Sequence, residues 1–179
     1  MSQSTTLPTP RVVSILRDVG RALAFAHTHG IVHRDIKPEN ILLSGATAVV
    51  TDFGIAKAFE DASAPSAETN TMLTRFGTCV GTPRYMAPEQ IVGDPAIDHR
   101  ADIYSFGIVG YELIAGRLPF DERDALAHLA VQPEHLRELR VDAPRRLADL
   151  VMRCIERERD LRPQGMAEVL MALEDVGPR

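Results

Sequence analysis

His33, Arg34, Asp35, Ile36, Lys37, Pro38, Glu39 and Asn40 run consecutively, and Asp52, Phe53 and Gly54 follow a short distance on. The two clusters bring together a proton acceptor, a cation and two hard-oxygen side chains. Phosphoryl transfer asks little covalent chemistry of a protein; it needs an attacking hydroxyl held in place and phosphate charge neutralised. Asp35 is the residue type that accepts or orients a hydroxyl proton. Lys37 can set positive charge beside a moving phosphoryl group, and Asn40 with Asp52 can bind Mg2+ through oxygen. Gly54 lets the backbone turn away from such a metal site.

The surrounding sequence supplies elements to hold these groups. Thr9 as cap and Pro10 in the first turn predict a helix start. Val12, Ile15, Leu16, Val19, Leu23 and Ala26 then form one apolar stripe that should end at Gly30. Ile31-Val32, Ile41-Leu42-Leu43 and Ala48-Val49-Val50-Thr51 read as short strands, the last two joined in a hairpin through Ser44-Gly45-Ala46-Thr47. The catalytic-type residues therefore fall on a loop among small strands. Residues 52–89 are long and aperiodic, the pattern of a functional surface segment.

Asp98 can cap a helix from about Arg100 to Ala115, apolar almost all round and stopped by Gly116, which belongs at the centre of a domain. A further helix carries Leu147, Leu150, Val151, Cys154 and Ile155, capped near Asp142 with Pro144 inside. A last one carries Met166, Val169, Leu170 and Leu173. No repeat or linker breaks the pattern. The expectation is one mainly helical domain over residues 8–176, with 1–7 a disordered or residual N-terminus.

Composition narrows the function. A chain of 179 residues buries about 70% of its unfolded surface as one domain, enough for a core without disulfides. The net charge of −5 argues against a nucleic-acid surface, which would show a basic face. Cys79 and Cys154 lie far apart with no metal spacing, and no secretory segment follows Met1, so reduced thiols and a cytoplasmic location are expected. The longest apolar run, Phe106 to Ala115, contains Glu112 and is too short to span a bilayer. His27, His29 and His33 are read as a solvated helix end rather than a metal cluster.

With these residues set out, the chain resembles the C-terminal lobe of a eukaryotic-type Ser/Thr protein kinase, most similar to the bacterial members. The likeness runs from about Pro8 to Val176. It includes Gly81-Thr82-Pro83-Arg84-Tyr85-Met86-Ala87-Pro88-Glu89, Asp102-Ile103-Tyr104-Ser105-Phe106-Gly107 and Arg162-Pro163, in order and at kinase-like separations. The resemblance implies ATP and Mg2+ as cofactors and a protein Ser or Thr hydroxyl as acceptor. Lys37 two residues after Asp35, and Thr82 facing both, mark the Ser/Thr class.

Other roles follow from the resemblance alone. Glu89 should pair with Arg162, Asp102 should hold the catalytic-loop backbone, His33 and Phe53 should stack, and Leu42 should floor the adenine. Residues 52–89 become the activation segment. Within it Thr78, or else Thr74, would carry a phosphate that pairs with Arg34 and Lys57.

The family's other lobe supplies a glycine-rich strand pair, a strand lysine and a helix glutamate. None of these motifs occurs here, so the N-terminal lobe is expected to be absent and its contact surface left apolar. Two readings stay open: a kinase catalytic domain represented in part and inactive alone, and a non-catalytic lobe acting as a binding or regulatory module with another kinase. The intact set Asp35, Lys37, Asn40 and Asp52 favours the first, because a scaffold has no chemical need of all four.

Overall fold

The structure is a computed structural model that describes residues 7–53, 84–120 and 127–176. Helix α1 (Thr9–Thr28) is entered through Pro8, with Pro10 in its first turn. Pro8, not Thr9, is the capping residue, and no side chain takes the cap bond. Proline at this position sacrifices only an amide that would have no helical partner. Leu7, expected to be patternless, packs against the core.

The far end of α1 is closed by Gly30 in the left-handed region at φ +72°. Its N–H donates to the carbonyl of His27 and that of Ile31 to the carbonyl of Ala26, both at 3.0 Å. These paired bonds satisfy carbonyls that the last turn leaves open, and only glycine adopts the required conformation without strain.

A 3-10 turn (Pro38–Asn40) leads into β1 (Ile41–Ser44), which pairs antiparallel with β2 (Thr47–Val50). Ile41 faces Val50 and Ser44 faces Thr47. Arg11 of α1 clamps the connecting turn through the carbonyls of Ala46 and Gly45, and Asp18 accepts the Ala48 N–H at 2.9 Å. This hairpin is the whole sheet among the described residues. Among the described residues Ile31-Val32 pairs with no strand, so the expected strand is not formed there.

After α2 (Pro88–Ile91), the long helix α3 (Arg100–Ala115) crosses the centre, with Ala101 to Tyr111 continuously buried. Asp98 accepts the Arg100 N–H at 2.8 Å, and Gly116 ends the helix at φ 72°. Three short helices follow, α4 (Ala127–Ala130), α5 (Leu136–Leu139) and α6 (Arg145–Cys154), then α7 (Met166–Glu174). Pro144 sits one residue before α6 rather than inside it, and Asp142 bonds Arg140 instead of capping. A neighbouring guanidinium is a stronger partner for a carboxylate than amides two residues on.

α1 lies against β2, α3 and α7, and α3 lies against α6. Gly107 permits the latter contact: a Cβ there would stand 2.6 Å from the Cβ of Cys154. The core formed by these helices is continuous, from Val12 on α1 through Phe106 and Val151 to Val169 on α7. Among the described residues no helix is long and apolar enough to cross a membrane.

Candidate active site

The loop leaving α1 is fastened to the central helix before it reaches the chemistry. Asp102, fully buried near the start of α3, accepts the backbone N–H of His33 at 2.8 Å and of Arg34 at 2.7 Å. Its third donor is His27 Nε2, at 2.8 Å. Because a carboxylate only accepts, that nitrogen carries the proton. The expectation of a solvated helix end holds for His29, which is exposed, and is corrected for His27 and His33. His27 is nearly buried, its Nδ1 lies buried without a hydrogen-bond partner, and His33 is fully buried. A charged residue in the core recruits the polar groups around it, since an unpaired buried carboxylate is costly.

Arg34 and Asp52 are the two non-glycine residues with positive φ among the described residues, at 66° and 57°. Each such residue costs about 1–3 kcal/mol and persists only where its surroundings over-determine it. Asp102 supplies that constraint for Arg34. For Asp52 the hairpin does so: the Asn40 carbonyl accepts the Thr51 N–H at 2.9 Å, and the Thr51 carbonyl faces His33 Nε2 at 2.9 Å. The rings of His33 and Phe53 stand 4.7 Å apart, joining the two loops on their apolar side.

Asp35, Lys37 and Asn40 converge. Lys37 Nζ donates to Asp35 Oδ2 at 2.8 Å, and Asn40 Nδ2 donates to the same oxygen at 3.2 Å and to the Asp35 carbonyl at 2.8 Å. The carboxylate is thereby gripped on one side, and among the described residues no donor reaches Oδ1. It is also half-exposed, so a hydroxyl can approach. With both Asn40 amide hydrogens committed, its Oδ1 is left as an acceptor. That oxygen and the exposed Asp52 carboxylate are hard-oxygen donors of the kind Mg2+ takes with phosphate oxygens. The residues fit the ion. Leu42 lies on β1 with its side chain exposed.

The end of the 52–89 segment is anchored by a buried ion pair. Glu89 and Arg162 meet at 2.7 and 2.9 Å through two parallel bonds. Arg162 also donates to the carbonyls of Glu156, Arg100 and Arg157, and its guanidinium lies 4.9 Å over the Tyr104 ring. Nearby, Tyr85 donates to Glu112 at 2.6 Å; burial first, and then this bond, push its phenol well above the usual range. Gly54, Lys57, Thr74, Thr78 and Thr82 lie outside the described residues.

Sequence reasoning set His27 aside as solvated and did not single out Gln90. Gln90, buried on α2, donates from Nε2 to the Arg34 carbonyl at 2.8 Å and accepts the Ala87 N–H at 3.1 Å. Both act over more than fifty residues of chain, and no local spacing reports such a partner.

A helical lobe, one small hairpin and an Asp-Lys-Asn cluster pinned from a central helix define a protein-kinase-like catalytic lobe. Residues 1–172 match the model of the protein kinase domain, and the chain belongs to that family. It is 40% identical over 93% of its length to a Clostridium acetobutylicum protein named as a probable serine/threonine-protein kinase, and covers 24% of that protein. It is 39% identical over 89% of its length to serine/threonine-protein kinase PknB of Mycolicibacterium smegmatis, covering 25%. The chain thus spans about a quarter of the curated relatives it matches. The crystal structure of the Mycobacterium tuberculosis PknI kinase domain superposes with a TM-score of 0.71 at 27% identity, over 96% of this chain and 57% of that one.

Proposed function

We propose that this chain is the substrate-side half of a serine/threonine protein kinase, transferring the γ-phosphoryl group of ATP to a protein hydroxyl in the cytoplasm. The reading is carried by the Asp35 carboxylate, gripped through Oδ2 by Lys37 and Asn40 and, among the described residues, met by no donor at Oδ1. An acceptor hydroxyl hydrogen-bonded to Oδ1 is aimed at the γ-phosphorus. As its oxygen bonds to phosphorus and the bond to ADP breaks, its proton passes to Asp35. Lys37, partly freed from Asp35 by that protonation, sets positive charge against the transferring group. Asn40 Oδ1 and Asp52 would hold Mg2+, which supplies charge neutralisation on the nucleotide phosphates.

The covering elements over the nucleotide come from outside these 179 residues, from further sequence of the same polypeptide or from another chain. Residues 52–89 act as activation segment, and phosphate on Thr78, or else Thr74, pairs with Arg34 and Lys57. Mass spectrometry of protein made beside an active kinase should find phosphate there, and none between residues 52 and 89 would sink this part.

The decisive experiment joins the chain to the amino-terminal lobe of a bacterial relative and measures phosphate transfer to a Ser/Thr protein substrate. The chain alone should show negligible transfer, the joined protein measurable transfer. Asp35→Asn should then lower the rate about 10²–10⁴-fold, near 3–5 kcal/mol, with ATP binding little changed. Full activity in Asp35→Asn would refute the assignment.

A further inference from the structure

We propose that Gln90 is a positioning residue that pins the Arg34–Asp35 peptide and so couples the anchored end of the 52–89 segment to the orientation of Asp35. The inference rests on the kinase reading above. Arg34 is a left-handed residue whose N–H is held by Asp102 from α3. One bond cannot fix a peptide on both sides of such a residue. Its carbonyl, which lies in the peptide plane leading to Asp35, is held by Gln90 Nε2 at 2.8 Å.

The orientation of the Gln90 amide is dictated by chemistry. The Ala87 N–H can only donate and the Arg34 carbonyl can only accept, so the oxygen must face the first and the NH2 group the second. Gln90 is 3% exposed and neighbours Glu89, whose carboxylate is locked to Arg162. The same four-residue helix that ends the segment thus reaches 56 residues back to the catalytic loop. A displacement of α2 withdraws the donor from the carbonyl of the Arg34–Asp35 peptide, whose N–H end is held by His33 Nδ1 at 3.3 Å.

Two isosteric variants test this. Gln90→Met removes both bonds. Gln90→Glu keeps the acceptor for Ala87 but presents a carboxylate to the Arg34 carbonyl. In the 179-residue chain, hydrogen exchange of the peptide spanning Val32 to Ile36 should quicken about tenfold in each variant, the loss of roughly one buried hydrogen bond. In the joined kinase, kcat should fall by about the same factor while KM for ATP stays within about twofold.

A merely structural role would not predict a pH reversal. Between pH 8 and pH 5, a Gln90→Glu carboxyl facing a carbonyl should take up a proton and regain a donor. Its protection relative to wild type should then recover, and that of Gln90→Met should not.

Unchanged exchange at Val32 to Ile36 in both variants would overturn the proposal, as would loss of kcat without any pH recovery in Gln90→Glu. Should Gln90→Met fail to fold, the Gln90→Glu profile decides alone. Absence of transfer by the joined wild-type protein would refute the kinase reading, and the exchange measurements would still decide whether Gln90 pins the loop.

Discussion

Replacement of Arg162 gives the sharpest test of how the segment end is fastened. A guanidinium carries five N–H groups, and here each one has an acceptor. Nε meets the Glu156 carbonyl, Nη1 meets Glu89 and the Arg100 carbonyl, and Nη2 meets Glu89 and the Arg157 carbonyl. The side chain is 1% exposed and Glu89 8%. Removing one partner of such a pair strands the other charge in the core, which costs about 3–5 kcal/mol. For a domain of this size each kcal/mol lowers Tm by about 2–4 °C. Arg162→Met should therefore lose between about 6 and 20 °C in a calorimetric scan.

Arg162→Lys distinguishes charge from geometry. Lysine keeps the charge but concentrates three donors at one point, where the forked bond to Glu89 and three carbonyls in different directions cannot all be served. It should recover less than half of the loss. The double variant Glu89→Leu with Arg162→Met removes the stranded charge yet leaves three carbonyls short of a donor, so it should fall between wild type and Arg162→Met. An Arg162→Met protein within about 1 kcal/mol of wild type would refute the reasoning, and so would an Arg162→Lys protein of full stability.

Gly107→Ala should destabilise the chain by about 1–3 kcal/mol despite alanine's better helix propensity, because the new Cβ would lie 2.6 Å from the Cβ of Cys154 and 2.7 Å from Cγ2 of Ile155. Gly110→Ala meets nothing nearer than the Val151 methyl at 3.2 Å and should stay within about 1 kcal/mol of wild type, the propensity gain offsetting a small shift. Equal Tm values for the two would contradict this account of the α3–α6 contact. Acid should also unfold the protein through three carboxylates. Arg140 holds Asp142 down to about 2, Arg153 and the Gln164 N–H lower Glu168, and burial raises Asp98 but bonds from Arg100 outweigh it. Folded values below unfolded ones add stability that is complete above the ordinary carboxylate range near pH 4 and lost as pH falls toward 2. Tm should drop across that window, less steeply at high salt, and a flat profile would exclude these pairs.

What could be read in advance follows from range. The cluster from His33 to Asn40 is contiguous, so the residue types it brings together can be read directly. The β1–β2 turn and the stop at Gly116 depend on local backbone demands that glycine announces. His27, Gln90 and the five bonds of Arg162 are different. Each joins residues more than fifty positions apart or collects backbone carbonyls, and a carbonyl has no identity in a sequence. Ile31-Val32 shows the same limit from the other side: their β-type side chains are local facts, but among the described residues no strand pairs with them, and the His33 N–H beyond them goes to Asp102. Within the loop from His33 to Asn40 the sequence therefore names the groups the proposed function uses, and distant polar partners decide whether those groups are held. Asp102 grips the N–H of Arg34 and Gln90 its carbonyl, and neither contact touches the reacting atoms. Under the proposed function, a substitution there should leave the motif intact to the eye while changing its geometry, so that retention of Asp35, Lys37, Asn40 and Asp52 alone would not suffice for transfer.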